Sequence, residues 1–250
     1  AWAASRLCHL RILWPDGDYH LAAAIQIARG SVPYRDFWFD KPPLTPLLHV
    51  LFGARPGVPL LLGSACYLFV SCVLAWALAR KLWGDREGRL AAALLAFHLV
   101  FYLPSAVIPV PVDLAMLVPH LAAVAAAAWG LPLVAGALAG VAFFFNVKGL
   151  LVLLVCLLWV RAKWARTLAG FAIVLAAGLA ALAALGALGG YVDQVWRWGL
   201  IYAGNSPEPN PLGHGLGRTV NWLGFHAFIA LGTLVYLLRD RGAWRREAWI

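Results

Sequence analysis

LAMLVPHLAAVAAAAWGLPLVAGALAGVAFFFNVKG, residues 114–149, carries no charge before Lys148. One helical crossing of a bilayer takes roughly 20 apolar residues, so this run is too long for a single span. Gly130 and Pro132 mark where it divides, because proline removes an amide donor and glycine relaxes the backbone. Asn146-Val147-Lys148-Gly149 makes a second break, after which apolar residues resume from Leu150 to Val160. An ammonium left in hydrocarbon is expensive. The economical arrangement is a helical hairpin over about 131–145 and 150–160, whose tip brings Lys148 to the interface or to a polar cavity.

Composition agrees. Hydrophobic residues make up 63% of the chain and charged residues 12%, against about 45–50% and 25% in soluble domains. Mean hydropathy is +0.79. The formal charge of +9 would suit a nucleic-acid partner, but Lys and Arg gather in short loops between uncharged stretches, as they do in membrane proteins. We therefore expect membrane lipids, some of them anionic, as partners, and no nucleic acid. Further spans are expected over Pro59–Ala79, Leu90–Leu103, Thr167–Gly190 and Leu223–Leu238, with Pro104, Pro109 and Pro111 breaking the exit from the second. The fold class is all-α: a polytopic transmembrane bundle (59–250) preceded by an outer-face segment with juxtamembrane helices (1–58).

Three basic clusters orient the chain: Arg80, Lys81, Arg86 and Arg89; Arg161, Lys163 and Arg166; Arg239, Arg241, Arg245 and Arg246. Short basic loops stay cytoplasmic. The spans between clusters are even in number only if the Lys148 hairpin counts as two. The segment to about Pro56, the Pro104–Asp113 connection and the Gly190–Trp222 loop then face outside, together with Asp16, Asp18, Asp36, Asp40, Asp113, Asp193 and Glu208. The cysteines show neither metal-ligand nor redox-motif spacing and read as small apolar residues. Gly136 and Gly140 allow close helix packing.

Candidate chemistry concentrates on that outer face. Asp16 and Asp18, flanking Gly17, are either turn and capping acids or a general base and metal carboxylates. Asp113 either favours the start of its helix or shares a cavity with Asp16. Lys41, stiffened by Pro42-Pro43, either snorkels or meets a phosphate. Lys148, accompanied by Asn146, stands between two apolar half-helices. His20 lies close to the acidic pair, and there is no HExxH grouping. No phosphate-binding lysine loop and no nucleophile elbow is present.

The stretch PDGDYHLAAAIQIARGSVPYRDFWFDKPPLTPLLHVLFG, residues 15–53, resembles the first outer loop of GT-C glycosyltransferases, nearest to the ArnT-like and protein O-mannosyltransferase-like group. Gly30, Pro33-Tyr34-Arg35-Asp36 and Lys41-Pro42-Pro43-Leu44 match its motifs. Asp16 matches the catalytic acid, with Gly17 where the family often has a second acid and Asp18 as a substitute. Asp113 matches the second acidic position, and Lys148-Gly149 the lysine-glycine turn. The resemblance implies a GT-C bundle that transfers a sugar from a polyprenyl-phosphate-linked donor to a lipid, protein or glycan acceptor. Asp16 and Asp113 would be catalytic. Lys41 and Lys148 would hold the donor phosphate, and Asp18, His20, Tyr34 and Arg35 would support the site. Several members use a divalent metal, for which Asp16 and Asp113 are the candidate ligands. The implied location is a bacterial inner membrane, multi-pass, with the site facing outside, and the chain reads as a fragment lacking an opening helix and a C-terminal part. The alternative is a transporter or lipid-handling protein that uses Lys148 and the broken helices without covalent chemistry.

This orientation predicts that cysteines introduced at Arg86 and Arg241 stay unlabelled by impermeant reagents applied to intact cells. Labelling at either position reverses the topology.

Overall fold

The computed structural model describes residues 2–10, 12, 15–102, 106–205 and 210–239, without the side chains of Asp16 and Ala203. The described residues are nearly all helical, with a single isolated bridge between Pro33 and Phe37. The chain divides into two compact units, Ala1–Gly199 and Leu200–Ile250.

The first unit opens with α1 (Trp2–Leu7), α2 (Pro15–Ala28) and α3 (Leu44–Leu51). They are followed by α4 (Val58–Trp83), α5 (Asp85–Phe101), α6 (Val112–Ala128), α7 (Pro132–Phe145), α8 (Gly149–Val160) and α9 (Trp164–Ala184). It closes with α10 (Leu188–Tyr191) and a π-helical turn, Val192–Arg197. Proline opens α2 and α7, where its missing amide costs nothing. Gly30 ends α2 with φ +93°, a conformation glycine alone adopts freely.

The first basic cluster is not a loop. Gly84, at φ +118°, is all that separates α4 from α5. Arg80 and Lys81 occupy the last turn of α4, while Arg86 and Arg89 lie in the opening turns of α5. Asp85 and Glu87 in the first turn of α5 suit the helix N-terminus, and Asp85 pairs with Arg80 at 3.4 Å and Arg89 at 2.7 Å.

Val58–Trp83 and Gly149–Ala184 are helical runs long and apolar enough to cross a membrane, and Pro211–Phe225 with Ala227–Arg239 makes a third candidate bent by 86°. The second run reverses direction within itself. A side chain added at Gly149 would strike the Phe143 backbone, and one added at Gly178 would strike the Phe144 ring. On a straight helix residues 149 and 178 would stand about 43 Å apart, so both cannot lie beside neighbouring residues of α7. The turn falls at Arg161–Lys163, where Arg161 takes φ +43°. The expected helical hairpin is therefore present, with α7 and α8 joined through Asn146–Lys148, and α9 running parallel to α7.

Small residues make the α7–α9 contact close. A Cβ on Gly136 would collide with the Thr167 carbonyl, and one on Gly170 with the Leu133 carbonyl. The core beside this contact is built from Ala135, Ala139, Ala142, Phe143, Phe144 and Phe171, the small-and-aromatic packing that brings membrane helices together. Alternation of the helices gathers Gly84, Gly130 and Arg161–Lys163 at one end of the bundle. Asp113, Lys148 and Leu185 lie at the other.

Elsewhere the expected spans shift. The Thr167–Gly190 span ends early, at Ala184, because Gly186 takes φ +67°. After α11 (Trp198–Asn205), which starts in the first unit, come α12 (Pro211–Phe225) and α13 (Ala227–Arg239) of the second unit, so much of the expected 190–222 loop is helical. The Asn210 side chain accepts a hydrogen bond from the Gly213 amide at 2.8 Å and starts α12 ahead of Pro211. The expected final span, 223–238, is broken at His226. The third basic cluster, beyond Arg239, lies outside the described residues.

Gly170→Leu is expected to overpack the α7–α9 contact and destabilise the protein by about 1–3 kcal/mol. Gly189→Ala, where an added Cβ meets nothing within 4 Å, provides the control. Thermal unfolding in detergent should show a lowered midpoint for the first and little change for the second.

Candidate functional site

At the end of the bundle that carries Lys148, α2, the 31–43 loop, the start of α6, the α7–α8 tip and the π-helical turn enclose a cavity of about 680 Å³. Its polar lining comes from Tyr19, His20, Asp40, Lys41, Asp113, Asn146 and Lys148.

Two ion pairs face this space. Lys148 Nζ lies 2.9 Å from Asp113 Oδ1, and Asn146 Nδ2 donates to the same oxygen at 2.7 Å. Asn146 also accepts from the Lys148 amide at 3.1 Å, which fixes the hairpin tip. Asp113 sits in the first turn of α6 but makes no capping bond, and Oδ2 has no partner among the described residues. The second pair is Lys41 Nζ with Asp40 Oδ2 at 2.8 Å, while Tyr19 donates to Asp40 Oδ1 at 2.7 Å.

The 31–43 loop is held from several sides. Pro42 and Pro43 restrict the chain after Lys41. The Tyr34 hydroxyl donates to the Lys41 carbonyl at 2.7 Å. Tyr34 takes φ +69° and packs against Phe39 and Tyr191. Gln194, on the π-helical turn, accepts from the Phe39 amide at 2.8 Å and donates to the Tyr34 carbonyl at 2.9 Å. Gly190 lies so close beneath the Tyr34 carbonyl that a side chain there would collide with it.

The structure thus brings together four of the residues singled out from sequence: His20, Lys41, Asp113 and Lys148. Both lysines expected to hold a phosphate are paired with carboxylates: Asp113 is neutralised by Lys148 and Lys41 by Asp40, because the α7–α8 turn places Lys148 against the start of α6. Asp18 borders a separate small hollow with His9 and Gly17. Tyr34 and Arg35 stand behind the cavity. Arg35 pairs with Asp36 at 2.8 Å and donates to the Leu185 carbonyl at 3.0 Å, tying the loop to the end of α9. Asp16 falls one helical turn before Tyr19 and His20 on α2, and its side chain, with the expected approach to Asp113, lies outside the described residues. Asp40, Tyr19, Gln194 and His49 were not expected; Asp40 had only its place beside Lys41 to signal it.

Among the described residues no three His, Cys, Asp or Glu side chains converge. An ammonium and an amide already occupy the inner oxygen of Asp113. Asp16, the other candidate metal ligand beside Asp113, has its side chain outside the described residues.

Compared with protein families, with curated proteins and with solved structures, the chain matches none of them.

Burial lowers His20 from the ordinary 6.5 to about 3, with His49 and Lys41 adding to the effect and Asp40 opposing it. Below pH 6.5 the unfolded chain gains a proton that folded His20 refuses until about pH 3, so stability should fall across that window. His49, also lowered by burial, acts with the same sign. Unfolding midpoints measured from pH 7 to pH 4 should decline for the wild type and decline less steeply for His20→Gln.

Proposed function

We propose that the chain is the membrane module of a glycosyltransferase of GT-C type, which moves a sugar from a polyprenyl-phosphate-linked donor to an acceptor. The observation that carries the reading is the cavity, in which two lysines and two carboxylates meet at the bundle end opposite the 80–89 and 161–166 basic segments. The resemblance of residues 15–53 supports it.

The chemistry suits these groups. An acceptor hydroxyl or amine attacks the anomeric carbon of the sugar. The bond from that carbon to the phosphate oxygen breaks, and polyprenyl phosphate leaves with the bonding electrons. The acceptor's proton passes to a carboxylate, for which Asp16 is the candidate by resemblance and Asp113, through Oδ2, the candidate by position. The departing phosphate gains negative charge as the bond breaks, so an ammonium beside it stabilises the transition state more than the bound donor. In this reading Lys41 and Lys148 are the ammonium groups that do so. Both are paired in the resting cavity, but with side chains 46% and 57% exposed. Exposed pairs are worth only about 0–1 kcal/mol, so a phosphate can displace either carboxylate at little cost.

In this reading the basic segments are cytoplasmic and the cavity faces the opposite side of a bacterial inner membrane. The lipid tail would remain in the bilayer while the sugar phosphate enters the cavity.

The test is an assay of the chain in nanodiscs with polyprenyl-phosphate-linked sugars. Asp113→Asn and Lys41→Ala should each lower kcat/KM by roughly 100-fold or more, a loss typical of removing one charge-stabilising group. Unchanged turnover in both variants overturns these assignments. Movement of labelled substrate across sealed vesicles without a covalent product favours transport instead.

A further inference from the structure

Helix α12 (Pro211–Phe225) is two-faced, and none of its residues is buried. Leu212, Leu216, Val220 and Leu223 recur at the helical period and form one stripe, with 81%, 67%, 64% and 40% of their surface exposed. His214, Arg218 and Asn221 follow the same period on the opposite face. There Arg218 Nε donates to His214 Nε2 at 2.7 Å. Trp222 falls at the border between the two faces. Phe225 departs from the division at the last position, where its ring meets that of His226 edge-on.

Such a helix is poorly suited to standing alone in water. Gly213, Gly215, Gly217 and Gly224 each weaken it, and isolated helices of this length are marginal. Three features within the same unit indicate what covers the stripe. First, α13 carries no charge before Arg239, and α12 meets it at 86°; with α13 entering a bilayer, α12 lies along the surface. Second, α12 contains Arg218 and no acid, a face that complements phosphate. Third, Trp222 at the border takes the place tryptophan favours at headgroup level.

We propose that α12 is an interfacial helix whose partner is the phospholipid surface, with the Leu212–Leu216–Val220–Leu223 stripe in the acyl boundary and Arg218 at the headgroup phosphates. The inference goes beyond the transferase reading and does not depend on it. Where the stripe displaces water, an unmade backbone hydrogen bond costs more, so the helix holds despite its glycines. The same contact sets the depth at which α13 begins.

The experiment uses the full chain, its four cysteines replaced by alanine, in nanodiscs of phosphatidylcholine and phosphatidylglycerol. Nitroxide labels are attached singly at Leu212→Cys, Leu216→Cys and Val220→Cys, and at His214→Cys, Gly217→Cys and Asn221→Cys. Relaxation by oxygen, which concentrates in lipid, is compared with relaxation by a water-soluble nickel complex. The oxygen-to-nickel ratio should be several-fold higher at the first three positions than at the second three. Arg218→Glu, which opposes the phosphates, should lower the ratio at Leu216→Cys, and Arg218→Lys should preserve it. Equal access of nickel to all six positions places α12 in water and overturns the proposal. A stripe shielded from both reagents is covered by protein, either the first unit or a second copy, and overturns it as well. A ratio unmoved by Arg218→Glu overturns the phosphate contact.

Discussion

An ammonium cannot rest in hydrocarbon without a partner, and much of the first unit is arranged around that cost at Lys148. The apolar run of α7 stops at Phe145, the chain turns through Asn146–Lys148, and α8 departs in the reverse direction. Asn146 braces the turn and shares Asp113 with the lysine. A single charged residue thus determines where two helices end, which end of the bundle is polar and which carboxylate α6 must bring to meet it. The alternation of the neighbouring helices follows, because α9 can lie beside α7 only if the chain reverses again at Arg161–Lys163.

The close contact between α7 and α9 shows how the apolar part of the first unit is held. Gly136 and Gly170 each admit the other helix's backbone, so dispersion between main chains replaces the side-chain layer of a soluble core. This firmness matters for the cavity above it, since the α7–α8 tip is only as well placed as the helices beneath.

The 59–79 span and the hairpin were legible because they rest on strong, local signals: length of apolar run, a charged break, and glycine or proline at the turns. The 80–89 segment was misread as a loop because charge density is a poor guide to backbone conformation; acids at the start of α5 make a helix out of what charge alone suggests is a connection. The 190–222 segment was misread for its glycines and prolines, although Asn210 and Pro211 form a good helix start. At the site, the residues next to the recognisable motifs were visible, but their pairing was not. That Lys148 meets Asp113 depends on helices whose paired residues stand 35 positions apart. Gln194 left no signal at all, because its role consists of matching backbone groups of a distant loop.

The grip of Gln194 on the Tyr34 and Phe39 backbone has a consequence for how the molecule is made. The 31–43 loop leaves the ribosome early, yet the side chain that fastens it belongs to a segment synthesised some 150 residues later. Until that segment arrives and Gly190 slides under Tyr34, Lys41 has no fixed position, and the polar end of the bundle remains unfinished. The helices can form as they emerge, but the polar end waits for the closing turn of the unit.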